Sequence, residues 1–311
     1  MIELIFHNIH DHGVTITKLW TEEIERRSGG RVHFDIQTGG GPQLTARADV
    51  VRDVPAGGGH HPLLDLVQTP LVFPSATIGS RVIAQLYFEF PELRQELNDF
   101  KVAGLSLGAL MAIFSSKKWG AVRTLEDLKG ARTRSLPPID SAIAALGAVP
   151  VQVDYSDIAR QLETGELDAT ILGLLPAKMF DLVDRGAPYC TLTGNLSITM
   201  HPMRTYFKWH SWNKLPPDIQ KIIDSLGPAG SDCWFAVQSG LDADRHLQEA
   251  LDYFHRQGEI ISISPAELTR WQSRLLPLRQ SSLNALEARG LPAKKYFARM
   301  LELVEKGYNS K

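Results

Sequence analysis

The sequence predicts an α/β protein in which helices cover mostly parallel sheets. Three observations predict it. Between residues 1 and 37 a short apolar run, a segment of helical periodicity and an alternating strand follow one another. Between residues 124 and 175 strands and helices alternate again, with clear start and stop signals. The chain has 311 residues, 43% of them hydrophobic, which suits two intertwined lobes.

The first block of elements is predicted as strand, helix and strand over residues 3–6, 14–24 and 31–37. Apolar side chains recur at helical spacing in the second of these segments and alternate with polar ones in the third. Helical periodicity returns over 78–100, interrupted by a proline. The apolar run 101–114 has the composition of a buried strand and is expected to lead from one lobe into the next.

Start and stop signals are clearest in the second block. Thr124 and Asp127 have the spacing of a capping box, and Gly130 ends the short helix that this box starts. The remaining elements are predicted as strands over 131–136, 149–153, 169–175 and 259–263, and helices over 140–146, from Ser156 to 165, 217–226, 231–257 and 265–288.

The charge balance excludes some classes of partner. Lys and Arg total 33 and Asp and Glu total 35, so the formal net charge is −2. Nucleic acid and direct membrane insertion are not expected, because they need a concentrated basic face and about 20 consecutive apolar residues, respectively. Residues 1–7 lack the basic and apolar regions of a secretory leader, so the protein is either cytosolic or numbered after removal of its leader.

Neither a metal nor a cofactor is expected. His7, His10 and His12 are spaced i, i+3 and i+5, which places three imidazoles on one side of neither a helix nor a strand. Cys190 and Cys233 are the two cysteines. We expect both to be free thiols, with a single disulfide as the alternative.

Three sequence fragments occur in an order and at a spacing typical of one known family. They are Leu-Glu-Asp-Leu-Lys-Gly-Ala-Arg-Thr-Arg at 125–134, Leu-Gly-Ala-Val-Pro at 146–150 and Gln-Leu-Glu-Thr-Gly-Glu-Leu-Asp at 161–168. Shorter matches lie at 7–8, 28–32, 69–74 and 212–220. Together they resemble the solute-binding proteins of tripartite ATP-independent periplasmic (TRAP) transporters, of the dicarboxylate-binding type, over most of the chain.

The resemblance implies a periplasmic-binding-protein-like α/β fold of class II, with two lobes, a ligand cleft between them and a long helix that crosses both. The first lobe would comprise residues 1–111, completed by about 203–245. The second would comprise 112–202, completed by about 246–311. The resemblance also implies a periplasmic protein whose leader has been removed, no catalysis, a small organic acid as ligand and the permease subunits of the transporter as partners.

The resemblance places Arg134 at the position that forms a two-pronged salt bridge with the ligand carboxylate. A guanidinium is planar, permanently charged and matched to carboxylate geometry, which suits this role. A solvated charge at a strand end is the alternative interpretation. Arg132 is expected to be a surface charge, because the family motif points to Arg134.

Six further positions are expected to contact the ligand. Tyr155 lies where the family places an aromatic ring, with a buried core tyrosine as the alternative. Leu172 is expected to form part of an apolar floor. The remaining four residues are Asn195, Asn8, His10 and Phe73. For the three polar ones, an ordinary solvated loop residue is the alternative.

Departures from the family pattern indicate an apolar pocket. After Asp168 the family continues with a glycine and polar side chains, whereas this chain has Ala-Thr-Ile-Leu-Gly-Leu-Leu at 169–175. The added basic residue of some members has no counterpart around Ala112. A monocarboxylate with a hydrophobic or aromatic body is therefore expected. Residues 45–62 look short, which suggests that a cleft-lining strand is missing there or that the sequence is altered.

An esterase is the alternative function. Gly-Leu-Ser-Leu-Gly at 104–108 matches the nucleophile elbow of α/β hydrolases, which would make Ser106 the nucleophile. Such a site also needs an acid, a histidine and oxyanion donors. The available histidines lie in no recognisable motif; they are His201, His210, His246 and His255.

Overall fold

The computed structural model describes residues 1–9, 14–39, 41–55, 59–228, 230 and 233–309. In chain order the elements are β1 (Ile2–Asn8), α1 (Val14–Arg27), β2 (Val32–Thr38), α2 (Gly41–Arg47), β3 (Val50–Asp53), α3 (Pro62–Asp65), α4 (Ala76–Glu89), α5 (Pro91–Glu96), β4 (Lys101–Leu107), β5 (Met111–Ser115), α6 (Leu125–Leu128), β6 (Arg132–Arg134), α7 (Pro137–Ala145), β7 (Val149–Val151), α8 (Ile158–Thr164), β8 (Ala169–Gly173), α9 (Leu174–Met179), β9 (Tyr189–Leu192), β10 (Pro202–Phe207), α10 (Trp209–Trp212), α11 (Pro217–Leu226), α12 (Trp234–Gln257), β11 (Glu259–Ser262), α13 (Pro265–Ala288) and α14 (Ala293–Asn309).

The strands form two separate mixed sheets, one in each lobe. The first sheet has the order β2-β1-β3-β10-β4, in which β1, β2 and β3 are parallel and β10 runs antiparallel to β3 and β4. The second has the order β11-β9-β5-β8-β6-β7, in which β6, β7 and β8 are parallel. The predicted two-lobed α/β fold is confirmed.

The chain passes between the sheets over short segments. The apolar run expected as one strand over 101–114 forms β4 and β5, which lie in different sheets and are separated by residues 108–110. The return occurs between β9 and β10. Because both crossings are short, the two sheets have to lie side by side with a cleft between them.

Two helices of 24 residues each pack against both lobes. In α12, Phe235 belongs to the core of the first sheet, whereas Phe254 belongs to the core of the second. In α13, Trp271 packs in the second lobe, whereas Leu286 packs against the first. Pro277 lies inside α13 between these two contacts. One long helix was expected to cross both lobes, and the structure has two such helices, α12 and α13.

The C-terminal helix departs from the expected division of the chain. Residues 246–311 were predicted to complete the second lobe, but Tyr296, Phe297 and Met300 of α14 pack with α4 in the core of the first lobe. The reason is the apolar face of α14, which covers that of α4. The predicted lobe boundaries otherwise remain a prediction.

Two local expectations are wrong. Residues 45–62 were expected either to lack a cleft-lining strand or to be altered in sequence, and the first alternative is wrong because β3 occupies Val50–Asp53. Ser156 was expected to cap a helix, but Tyr155–Asp157 forms a 3-10 turn and α8 begins at Ile158. Among the described residues, no helix combines the length and the apolar character needed to cross a lipid bilayer.

Helix α12 is fixed to α4 by a close crossing. The carboxylate oxygens of Asp244 accept hydrogen bonds from the backbone N–H groups of Ala76 and Thr77, at 2.8 and 3.0 Å. One turn earlier in α12, a Cβ atom added at Gly240 would lie 2.4 Å from the Cα atom of Thr77. Only glycine therefore allows the backbones to approach this closely.

We expect Gly240→Ala to lower the free energy of unfolding by about 1–3 kcal/mol, because the new methyl group must push α12 away from the α4 backbone. Denaturant unfolding measures this change. The control is Gly307→Ala in α14, where the added Cβ meets only the Ile78 side chain, at 3.2 Å. Both variants gain the same helix propensity, so equal stability of the two would contradict the proposed clash.

Candidate functional site

A cavity of about 540 Å³ lies between the two lobes. It is bounded by the carboxyl ends of parallel strands of both sheets, the usual position of a ligand site in α/β folds. Its walls are mainly apolar and include Ile16, Leu107, Met111, Leu136, Leu172 and Met203. Such a cavity suits a small molecule with an apolar body.

Arg134 faces this cavity from the end of β6. Its side chain is buried, with 6% of the residue exposed. Nη1 donates a long hydrogen bond of 3.5 Å to the carbonyl oxygen of Ile171, and the buried Nε has no hydrogen-bond partner among the described residues. Burial lowers the pKa of the guanidinium, while attraction to Tyr155 and Asp140 acts in the opposite direction. A guanidinium nevertheless stays charged at neutral pH.

Arg132 has a different partner, as expected for a structural charge. Its guanidinium forms a two-pronged salt bridge with Asp168, with Nε–Oδ2 at 2.9 Å and Nη2–Oδ1 at 2.8 Å. Nη2 also donates to the carbonyl oxygen of Gly165, which ends α8 with φ of 78°. Two fragments of the family pattern, 125–134 and 161–168, therefore meet through Arg132 and hold the strand that carries Arg134.

Tyr155 and Leu172 also line the cavity, and their contact with a ligand stays a prediction. Tyr155 follows β7, and its ring stands 4.9 Å from that of Phe180, centroid to centroid. Leu172 is buried near the end of β8. Because β6, β7 and β8 are parallel neighbours or next neighbours, their carboxyl ends bring Arg134, Tyr155 and Leu172 together.

The other predicted ligand residues lie elsewhere. Phe73 is buried in the core of the first lobe. Asn195 is exposed in the turn that the Thr193–Leu196 bridge closes. Asn8 is buried at the end of β1, beside the backbone of β3, and is not among the described residues that line the cavity. His10 lies outside the described residues.

Sequence analysis missed Arg52, which lines the cavity from β3 of the first lobe. Only 3% of the residue is exposed. Its guanidinium donates to the hydroxyl oxygens of Thr205, Ser239 and Ser106, at 3.2, 3.3 and 3.5 Å. Burial lowers its pKa to about 10, with Asp242 and Asp53 acting in the opposite direction. Arg52 is therefore also a cation at neutral pH.

Further polar side chains line the cavity beside Arg52, namely Gln68, His201, Ser239, Asp242 and His246. Asp242 is buried and forms an ion pair with Arg245 one turn along α12, and His246 Nδ1 lies 3.7 Å from its carboxylate. His201 Nδ1 lies 2.9 Å from Oε1 of Gln68. Arg245 therefore offsets part of the negative charge of Asp242. Among the described residues that line the cavity, Arg52 and Arg134 are the permanently charged cations.

A second, larger cavity of about 710 Å³ lies between α13, α7 and the 62–71 segment. Its charged lining side chains are half-buried or exposed, namely Asp65, Arg279 and Arg289. No buried charge among the described residues faces it, so it lacks the electrostatic feature that distinguishes the first cavity.

Metal-ligating side chains are not gathered in the described part of the chain, where no group of three or more could hold an ion. His7 hydrogen-bonds instead to the Gly39 carbonyl oxygen and the Thr45 hydroxyl, at 2.6 and 3.0 Å. His10 and His12 lie outside the described residues. Cys190 and Cys233 are free thiols.

Comparison with known families agrees with this geometry. The model of bacterial extracellular solute-binding protein, family 7 (DctP), matches residues 10–285. The chain belongs to this family. The predicted assignment to the TRAP solute-binding proteins is confirmed, and members of the family act as solute-binding receptors.

Solved structures of TRAP solute-binding proteins share the fold over nearly the whole chain. A TRAP periplasmic solute-binding protein from Desulfovibrio salexigens, in an open complex, is 25% identical, with a TM-score of 0.82 over 98% of this chain and 96% of that one. A marine metagenome protein specific for aromatic acid ligands, in complex with metahydroxyphenylacetate, is 21% identical (TM-score 0.86; 98% and 99% covered). A Rhodoferax ferrireducens protein with copurified benzoate is 18% identical (TM-score 0.85; 100% and 99% covered).

The Arg132–Asp168 salt bridge should make the free energy of unfolding depend on pH. Burial raises the pKa of the Asp168 carboxyl, but the hydrogen bonds from Arg132 lower it more, so its pKa lies below its usual range. A carboxylate with a lowered folded-state pKa contributes stability above its unfolded pKa, near 4, and loses it as the pH falls through the folded value. We expect Asp168→Asn to lower the free energy of unfolding at pH 7 by about 1–2 kcal/mol.

The difference between the wild-type protein and Asp168→Asn should shrink below about pH 4, as chemical denaturation across pH would measure. The control is Glu166→Gln, whose exposed ion pair with Arg160 should contribute at most about 0.5 kcal/mol. A difference that stays constant from pH 7 to pH 3 would contradict the role given to the Asp168 charge.

Proposed function

We propose that this family 7 protein captures a small organic acid in the cleft between its lobes, with the carboxylate bound by Arg134. The observation that carries this proposal is that the charge of Arg134 is buried without an ion pair to the described residues. Its guanidinium is buried beside an apolar cavity, and no carboxylate of the described residues lies within ion-pair distance of it. A buried charge of this kind is stabilised by an anion that fits its planar fork.

The ligand body is expected to be apolar or aromatic. The cavity volume of about 540 Å³ lies in the usual range for small-molecule sites, and most of its wall is hydrophobic. Tyr155 provides aromatic surface in the cavity that Arg134 lines, and the ring of Phe180 packs against it. The acids named for two structural relatives, benzoate and metahydroxyphenylacetate, each combine one carboxylate with an aromatic ring.

Binding is proposed to close the cleft. Arg134 belongs to the second lobe, whereas Ile16, Leu107 and Met203 line the cavity from the first. A ligand that contacts both lobes has a higher affinity for the closed arrangement and shifts the population toward it. The closed form would then deliver the acid to the membrane permease of a TRAP transporter, on the periplasmic side of the membrane.

Arg134→Met should weaken binding of the ligand acid at least about 20-fold, because removal of one partner from a desolvated charge pair costs about 2–5 kcal/mol. A thermal-shift screen of organic acids first identifies the ligand, since binding raises the apparent stability by mass action. Calorimetry then measures the affinity of the variant.

The matched control for this experiment is Arg132→Met, two residues earlier on the same strand. It removes the salt bridge with Asp168 and should lower the melting temperature, but the affinity should change less than about 3-fold. Unchanged affinity in Arg134→Met would remove Arg134 from the site.

We infer that the protein is a receptor without esterase activity. Ser106 is fully buried in β4, opposite Met203 of β10, rather than on a turn between a strand and a helix. Its hydroxyl accepts hydrogen bonds from Ser239 and Arg52 instead of contacting a histidine base. Neither the strained turn nor the base of a nucleophile elbow is present at this serine.

A fluorophosphonate probe should therefore leave Ser106 unlabelled, as peptide mass spectrometry of the treated protein would show. A commercial serine esterase labelled in the same tube is the positive control. Covalent modification at Ser106 that is lost in Ser106→Ala would favour the esterase over the receptor.

A further inference from the structure

We propose that Arg52 forms a second recognition site in the cleft, which binds an oxygen acceptor at the end of the ligand remote from its carboxylate. The inference rests on the proposed function, because Arg134 is taken to hold the carboxylate. It narrows the ligand from an acid with a purely apolar body to an acid that carries a second oxygen-bearing group, such as a hydroxyl, a ketone or another carboxylate.

The first argument is that no carboxylate of the described residues forms an ion pair with Arg52. Its three hydrogen-bond acceptors are neutral hydroxyls, two of them at 3.3 Å or more, and its buried Nε has no partner. The two carboxylates that attract it are engaged elsewhere. Asp53 binds Arg204, with Nε–Oδ1 at 2.7 Å, and Asp242 pairs with Arg245. The guanidinium therefore keeps binding capacity that the protein does not use.

The second argument is that Arg52 and Arg134 line the same cavity. Among the described residues, Arg52 and Arg134 are the two arginines that are buried, both have an unpartnered Nε, and both line the same cavity. The better-paired arginines lie outside this cavity; examples are Arg132, Arg204 and Arg299, each bound to a carboxylate. Two buried guanidinium groups that form no ion pair with the described residues, at one cavity, favour an occupant that supplies acceptors for both.

The third argument is that the two arginines belong to different lobes. Arg52 is held between the first sheet and α12, where its guanidinium also lies 5.3 Å from the ring centroid of Phe235. Arg134 is at the end of β6 in the second sheet. A ligand that bridges the two lobes therefore meets a guanidinium on each wall, and polar oxygen at both of its ends would satisfy both groups.

The experiment compares acids that share one body. Calorimetry measures the affinity of the wild-type protein for phenylacetate, 3-hydroxyphenylacetate, 4-hydroxyphenylacetate and 1,4-phenylenediacetate. We expect at least one of the three oxygen-substituted acids to bind at least 10-fold more tightly than phenylacetate. In Arg52→Met this preference should fall below 3-fold, whereas the affinity for phenylacetate should change less than 3-fold.

The melting temperature of the unliganded variant separates recognition from a structural role. If Arg52 serves the ligand, Arg52→Met removes an uncompensated buried charge and leaves the melting temperature unchanged or raised. A structural role predicts a lower melting temperature with the ligand preference retained. Arg204→Met is the matched control in the same sheet. It leaves the Asp53 carboxylate without its ion-pair partner, so it should lower the melting temperature and keep the preference for oxygen-substituted acids.

The outcomes distinguish this inference from the proposed function. If the oxygen-substituted acids bind no more tightly than phenylacetate, or if Arg52→Met weakens all four acids equally, the inference is overturned. If Arg134→Met leaves the affinity for all four unchanged, the proposed function fails instead, whatever Arg52→Met shows.

Discussion

Transfer of a guanidinium from water to a protein interior costs several kcal/mol, which a carboxylate at ion-pair distance normally offsets in part. At Arg134 no carboxylate of the described residues does so, and the adjacent wall of the cavity is apolar. The second lobe therefore has to hold Arg134 in place at the expense of its own stability. An anion that enters this poorly hydrated site interacts with the charge more strongly than it would in water.

The surrounding structure holds Arg134 through its neighbours in sequence. The capping box at Thr124 starts α6, and the chain then turns into β6, where Arg132 forms its fork with Asp168. The residues that are most recognisable in the sequence thus serve mainly to position a short strand of three residues. The first lobe contributes the opposite wall, and α12 and α13 connect the two.

The sequence predicted those parts of the protein that local signals encode. Caps, glycines and periodicity located most helices and strands, and ordered fragments pointed to Arg134. Arg52 escaped because β3 has only four residues and is buried at Val50, Val51 and Arg52, so that no alternation marks it. Its partner Ser239 is 187 residues away, a contact that no local pattern encodes. Phe73 was misplaced for the same reason, since tertiary packing decides that it faces the core.

The proline inside α13 has a mechanical consequence for any rotation of the lobes. Pro277 cannot donate a backbone hydrogen bond, so the helix can bend there without breaking a further one. This compliant point lies near the end of the segment packed on the second lobe, between Leu275 and Leu278, and before Leu283, which packs on the first lobe. Helix α12 spans the same interval with 24 residues and no proline. Of the two helices that connect the lobes, α12 is therefore the one whose backbone hydrogen bonds no proline interrupts, and bending it costs more.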